Sequence, residues 1–189
     1  MSMNHESKYS ELTDKQFTLI GKLVVEWSNI EFLLGVLLNR LLFTNEFLGR
    51  TFTDEISADK IQAAINNALD IHRYRYSCKT VPLETIDEIN QLNIDIEKFR
   101  SLRNKFSHFC WSRSTDEELL GTRFSGFILP KKNFNKDSVV ISNTEIKETY
   151  QDAYEFVERL SVLIEKLPKI DEEELLNRES GGTGHHRSR

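Results

Sequence analysis

The run SLRNKFSHFCW, residues 101–111, holds the residue types best suited to chemistry in this chain. Arg103 offers a planar guanidinium that can fork onto two phosphate oxygens. Five positions on, His108 offers an imidazole whose ordinary pKa of about 6.5 lets it take or give a proton near neutrality. Asn104 adds an amide that can orient the imidazole or contact phosphate. A cationic fork beside an acid–base group suits cleavage of a phosphodiester by its own ribose. The 2′-hydroxyl loses its proton and attacks the adjacent phosphorus, the 5′-oxygen leaves and takes up a proton, and the ends are a 2′,3′-cyclic phosphate and a 5′-hydroxyl. His108 is then the general base or acid, and Arg103 neutralises charge developing on the phosphoryl oxygens. Such a scheme calls for no metal and no other cofactor.

The spacing of Arg103, the polar Asn104, three further residues and His108 resembles the signature of the HEPN superfamily (higher eukaryotes and prokaryotes nucleotide-binding domains). That resemblance implies an all-helical fold and, as in many prokaryotic members, a metal-independent endoribonuclease of toxin–antitoxin or antiviral systems. It also implies RNA as substrate, a homodimer in which two such helices face each other across one cleft, and an antitoxin protein as a further partner. In the branch paired with nucleotidyltransferase antitoxins, a tyrosine two positions after the histidine is the modification target. Here that position is Cys110, so adenylylation there does not carry over. Other members lack activity, which makes a noncatalytic helical nucleotide-binding or protein-interaction module the alternative reading.

On a helix at about 100° per residue, Asn104 and His108 share a face, while Arg103 stands about 140° around from His108. One helix by itself is therefore an imperfect site, and a composite of two copies suits the pair better.

The elements that must carry these residues are legible as periodicity. From Thr13 to about Phe43, apolar residues recur at Ile20, Leu23, Val24, Trp27, Leu34, Leu38, Leu41 and Leu42, a helical spacing with Thr13 or Asp14 as its cap. A second helix fits Ser57 to about Tyr74, with Ile61, Ala64, Ile65, Leu69 and His72 on one side. The third begins near Pro82 and carries Leu83, Ile86, Ile89, Leu92, Ile96, Phe99, Leu102, Phe106 and Phe109 at steps of three and four. Alternation at Leu120, Thr122, Phe124, Gly126 and Ile128, the turn PKKNFNKD and the run SVVIS predict an inserted β-hairpin. Ser142 with Glu145 reads as a capping box that opens a closing helix bearing Ile146, Tyr150, Ala153, Val157, Leu160, Ile164 and Leu167, ended by Pro168. The expected fold is all-α, a four-to-five-helix up-and-down bundle with a small β-hairpin before the last helix. Residues 10–170 form one HEPN-like helical bundle domain in this reading, and 171–189 a disordered C-terminal tail.

Charge supports an RNA partner only locally. The chain carries 25 Lys plus Arg against 30 Asp plus Glu, so no global cationic field draws in nucleic acid. Residues 98–113, however, hold Lys98, Arg100, Arg103, Lys105 and Arg113 without an acid. A second run, HRYRYSCK, interleaves Arg73 and Arg75 with Tyr74 and Tyr76, a pattern suited to phosphate contact and base stacking. Arg73, Tyr74, Arg75, Arg100, Lys105 and Arg113 are the candidate RNA-binding residues. Glu31, four positions after Trp27 on the apolar stripe, needs a partner and is a candidate to orient a motif arginine.

The remaining features exclude classes. Cys78 and Cys110 have no zinc spacing and read as reduced thiols. No Gly-rich phosphate loop, GxSxG, HExxH or EF-hand loop is present. The start, MSMNHESKYSELTDK, lacks an apolar leader, and Glu26, Glu31, Asn39 and Arg40 break the most apolar segment, so a cytoplasmic protein without a membrane span is expected.

Overall fold

The computed structural model describes residues 11–125 and 135–170. In chain order these form α1 (Asp14–Leu41), α2 (Glu46–Thr53), α3 (Ala58–Asp70), a π-helical turn (Ile71–Arg75), α4 (Leu83–His108), β1 (Cys110–Arg113), β2 (Glu118–Ser125), β3 (Asn135–Ser142) and α5 (Asn143–Glu165). The protein is mainly α with a small antiparallel sheet before its last helix, as the periodicity predicts. Gly126 and Ile128 of the predicted hairpin, and the tail 171–189, lie outside the described residues.

Local chemistry sets the helix starts. Thr13 Oγ1 accepts from Gln16 N at 3.2 Å while Thr13 N donates to Gln16 Oε1 at 2.9 Å, a reciprocal box that opens α1. Ser142 and Glu145 make the predicted box on α5. Ser142 N and Oγ both donate to Glu145 Oε2 at 2.8 Å, and Glu145 N donates to Ser142 Oγ at 3.1 Å. The Ser142 backbone N–H, and then its hydroxyl, hold the Glu145 carboxyl below its ordinary value.

Two elements go beyond the sequence reading. α2 is too short to show a period, and it starts because Asn45 Oδ1 accepts from Phe47 N at 2.9 Å. Its Gly49 lies against Asn39, where an added Cβ would fall 2.3 Å from the amide carbon. β1 extends the hairpin to a three-stranded sheet of order β1-β2-β3, pairing Trp111 with Gly121 and Ser112 with Leu120. Across β2 and β3, Leu119 faces Ile141 and Leu120 faces Val140.

The described residues fall into two compact units, the first drawn from residues 11–30, 94–125 and 135–158, the second from 31–93 and 159–170. In the first, Leu23, Trp27, Ile30, Ile96, Phe99, Phe106, Leu119, Ile141, Ile146 and Ala153 are buried. Gln16 is buried as well and is satisfied by the carbonyls of Thr115 and Glu118 at 3.0 and 3.3 Å. In the second, the core includes Leu34, Leu37, Leu41, Ile65, Leu69, Ile86, Ile89, Leu92, Leu160 and Ile164. Buried His72 spans this core. Its Nε2–H donates to the Leu41 carbonyl and Thr80 Oγ1 meets its Nδ1, both at 2.8 Å. Two residues read as core from α1 periodicity, Val24 and Leu42, are instead exposed at 49% and 51%. Val24 sits outside the arc centred on Leu23, Trp27 and Ile30, so a stripe drawn wide enough to include it overshoots the buried face.

Candidate functional site

The candidate site occupies the last two turns of α4. Phe99 and Phe106 face the core, Arg103 is half-buried, and Asn104, Lys105 and His108 are exposed. Arg103 does not project freely. Its guanidinium lies over the indole of Trp27, 5.0 Å from the ring centroid. Trp27 in turn stacks on Phe99 at 5.8 Å, and Phe99 meets Phe156 edge-on at 5.5 Å. A cation over a buried indole gains roughly 0.5–2 kcal/mol, and the contact fixes the plane of the fork. The outer edge of the guanidinium donates from Nη1 to Asn104 Oδ1 at 3.3 Å. Sequence reasoning missed Trp27 as the seat of Arg103; the signal available was an indole on the inner stripe of α1, which periodicity reads only as core.

His108 is exposed, and the residues after it fix the turn it stands on. It is the last residue of α4, where the helix leaves carbonyls without intrahelical donors. Trp111 Nε1 donates to one of them, the carbonyl of Phe106, at 3.1 Å, and its ring stacks on Phe106 at 5.0 Å and on Phe109 at 6.1 Å. The opposite strand residue must be small: a Cβ on Gly121 would fall 2.7 Å from the Trp111 ring and 3.0 Å from Phe109. The Trp111–Gly121 pair thus fixes the turn from which His108 projects. Cys110, next along, is an exposed free thiol, and Cys78 is also free.

Acids meet several of the cations that the sequence leaves bare. Arg100 lies 3.9 Å from Glu97, Lys98 3.7 Å from Asp95, and Arg113 3.4 Å from Asp116 and 4.0 Å from Glu11. Helical spacing of three brings Asp95 and Glu97, the turn after β1 brings Asp116, and the segment before α1 brings Glu11 to cations from outside the 98–113 window. Lys105 lines an open groove of about 310 Å³ with Phe106, Val140, Glu145, Glu148 and Asp152, so its surroundings carry more negative than positive charge. The other candidates belong to the second unit. Arg73 forms a short ion pair with Asp87, Tyr74 is 75% exposed, and Arg75 is exposed. All three lie on the π-helical turn, which closes through Ser77 and Cys78 at positive φ. Glu31 is half-buried and lines a cavity of about 410 Å³ with Phe32, Arg50 and Asp54.

The structure therefore joins Arg103 to Asn104 and sets His108 at the exposed end of the same helix. Lys105 and Arg113 flank that end among carboxylates. Among the described residues no group of three His, Cys, Asp or Glu side chains is placed to hold a metal ion, and no helix is long and apolar enough to cross a membrane. Comparison with family models, with curated proteins and with solved structures yields no match.

Proposed function

We propose that the chain is a metal-independent endoribonuclease of the HEPN type, cleaving RNA by 2′-hydroxyl transesterification in the cytoplasm. The supporting observation is the seating of Arg103: its guanidinium is oriented by Trp27 and Asn104, with His108 exposed farther along the same helix. A pre-oriented fork loses less freedom when it meets a phosphate. Arg103 binds the phosphoryl oxygens, His108 moves the proton, and Asn104 positions Arg103. Because the two catalytic groups point about 140° apart on α4, a homodimer supplies Arg103 from one copy and His108 from the other. An antitoxin protein that covers this surface is the proposed regulator. Incubation of the purified chain with single-stranded RNA in EDTA tests the reading: RNA is cut, and DNA, lacking the 2′-hydroxyl, survives. Dependence on added magnesium, or equal cutting of DNA, overturns it.

One observation favours the second reading, a noncatalytic interaction module. The stacking of Arg103 on Trp27 is also what a purely structural arginine would do. In that case Arg103→Ala lowers stability and the wild-type protein cuts nothing.

A further inference from the structure

The outward face of α1 carries a pattern with no role in the candidate site. Phe17, Val24, Val25 and Phe32 are exposed at 41%, 49%, 58% and 45%, an unusual load of large apolar side chains on one helix face, where only the Phe32 ring has a cation over it, the Arg50 guanidinium 4.4 Å from its centroid. Between them stand exposed Gly21 and Ser28. The order is palindromic. Phe17 and Phe32, Gly21 and Ser28, and Val24 and Val25 lie at equal distances on either side of one midpoint. At about 100° per residue, all six fall within about 50° of a single line along the helix.

We infer that this face is the surface on which a second copy of the chain docks, with the two α1 helices antiparallel about a two-fold axis through the midpoint. In an isologous interface each contact occurs twice with the copies exchanged, and about this midpoint those contacts join apolar to apolar and small to small. Phe17 of one copy meets Phe32 of the other, Gly21 meets Ser28, and the valines interlock at the axis. The small residues permit close approach. A Cβ built on Gly21 meets nothing within 4 Å, so the space beside it is open in the single chain. Ser28 Oγ already donates to the Val24 carbonyl at 3.1 Å, so burying it strands no hydroxyl proton.

Area agrees with this occupant. The two phenylalanines and two valines expose on the order of 300 Å² per copy, and with their polar flanks the pair approaches the roughly 1,000 Å² that a specific interface needs. The stripe also ends where the fold covers it. Gly35, the next position along, is occupied from above by Thr53, whose Oγ1 lies 3.2 Å from where a Cβ would be. This pairing uses a different helix from α4 and does not rest on the nuclease reading; where the α4 contact also forms, the α1 contact joins two such dimers, and the crosslink between positions 21 and 28 reports the α1 contact alone.

Site-directed crosslinking combined with sedimentation tests it. In a chain whose Cys78 and Cys110 are replaced by serine, Gly21→Cys alone and Ser28→Cys alone give no disulfide dimer, because each is displaced from its own counterpart by about two turns. Mixing the two chains gives the crosslinked pair. Val25→Glu raises the dimer dissociation constant by about 100-fold or more, since two carboxylates then meet at the axis. Gly21→Leu also weakens the dimer while retaining helix content, because leucine is the better helix former. A wild-type chain that sediments as a monomer at every concentration, a dimer indifferent to Val25→Glu and Gly21→Leu, or homotypic crosslinks equal to the mixed one overturns the inference.

Discussion

Arg103 and Trp27 form a cation–indole pair, the guanidinium 5.0 Å from the ring centroid, that ties the run carrying Arg103 and His108 to the buried face of α1. The pair gives Arg103 a role in packing, beside the anion-binding role proposed for it.

Arg103→Lys separates them. An ammonium keeps the charge but loses both the planar stack and the fork, so RNA cleavage falls by about 10²-fold while stability drops by only about 0.5–1 kcal/mol. Parallel urea titrations and cleavage rates check this. A loss of activity fully accounted for by unfolding would assign Arg103 to packing alone.

His108→Ala removes the proposed acid–base group at an exposed helix end. Cleavage falls by about 10²-fold or more, and the unfolding midpoint shifts little because the dipole contact of a terminal histidine contributes at most about 1 kcal/mol. The quantities to compare are kcat and KM. A rise in KM at constant kcat would make His108 a binding group instead.

Gly121→Val tests the support of the site without touching it. The new side chain meets Trp111 and Phe109, displaces the ring that caps the Phe106 carbonyl, and costs about 1–3 kcal/mol. The tryptophan environment near His108 changes accordingly, which near-ultraviolet circular dichroism reads. An unchanged spectrum with unchanged stability would contradict the packing described for the end of α4.

Ser142→Ala has a predicted pH signature. Glu145 sits below its ordinary value because Ser142 N–H and Oγ–H favour the carboxylate. For a carboxyl lowered on folding, the associated stability is present above the unfolded-state value and is lost as pH falls through the folded-state value. Removing the hydroxyl therefore destabilises the protein by about 1 kcal/mol near neutrality and by less in acid. Thermal unfolding of both proteins from neutral to acidic pH checks the sign. A deficit that grows on acidification would contradict it.

The helices were legible because long 3.6-residue periods agree with the capping box at Ser142; for α1 the sequence offered Thr13 or Asp14, and the structure puts the box on Thr13. α2 and β1 were not, since eight and four residues are too few to show a period and their reasons for forming, the Asn45 cap and the Trp111–Gly121 contact, are tertiary or single-residue effects. At the candidate site, Arg103, Asn104 and His108 were found by spacing. The seat on Trp27 lay 76 positions away in sequence and left no local trace. The basic window from 98 to 113 looked bare because its acids, Asp95, Glu97, Asp116 and Glu11, all fall outside it. Val24 was assigned to the core because it fits a widely drawn helical stripe, and it is exposed because the buried arc is narrower, centred on Leu23, Trp27 and Ile30.

The most direct measurement is the end-group chemistry of RNA cut in EDTA by wild type and by His108→Ala. The account predicts 2′,3′-cyclic phosphate and 5′-hydroxyl ends from the wild type, protection of any linkage whose ribose is 2′-deoxy, and about 10²-fold slower cutting by the variant. Ends of 5′-phosphate and 3′-hydroxyl, or undiminished cutting by a folded His108→Ala protein, would contradict it.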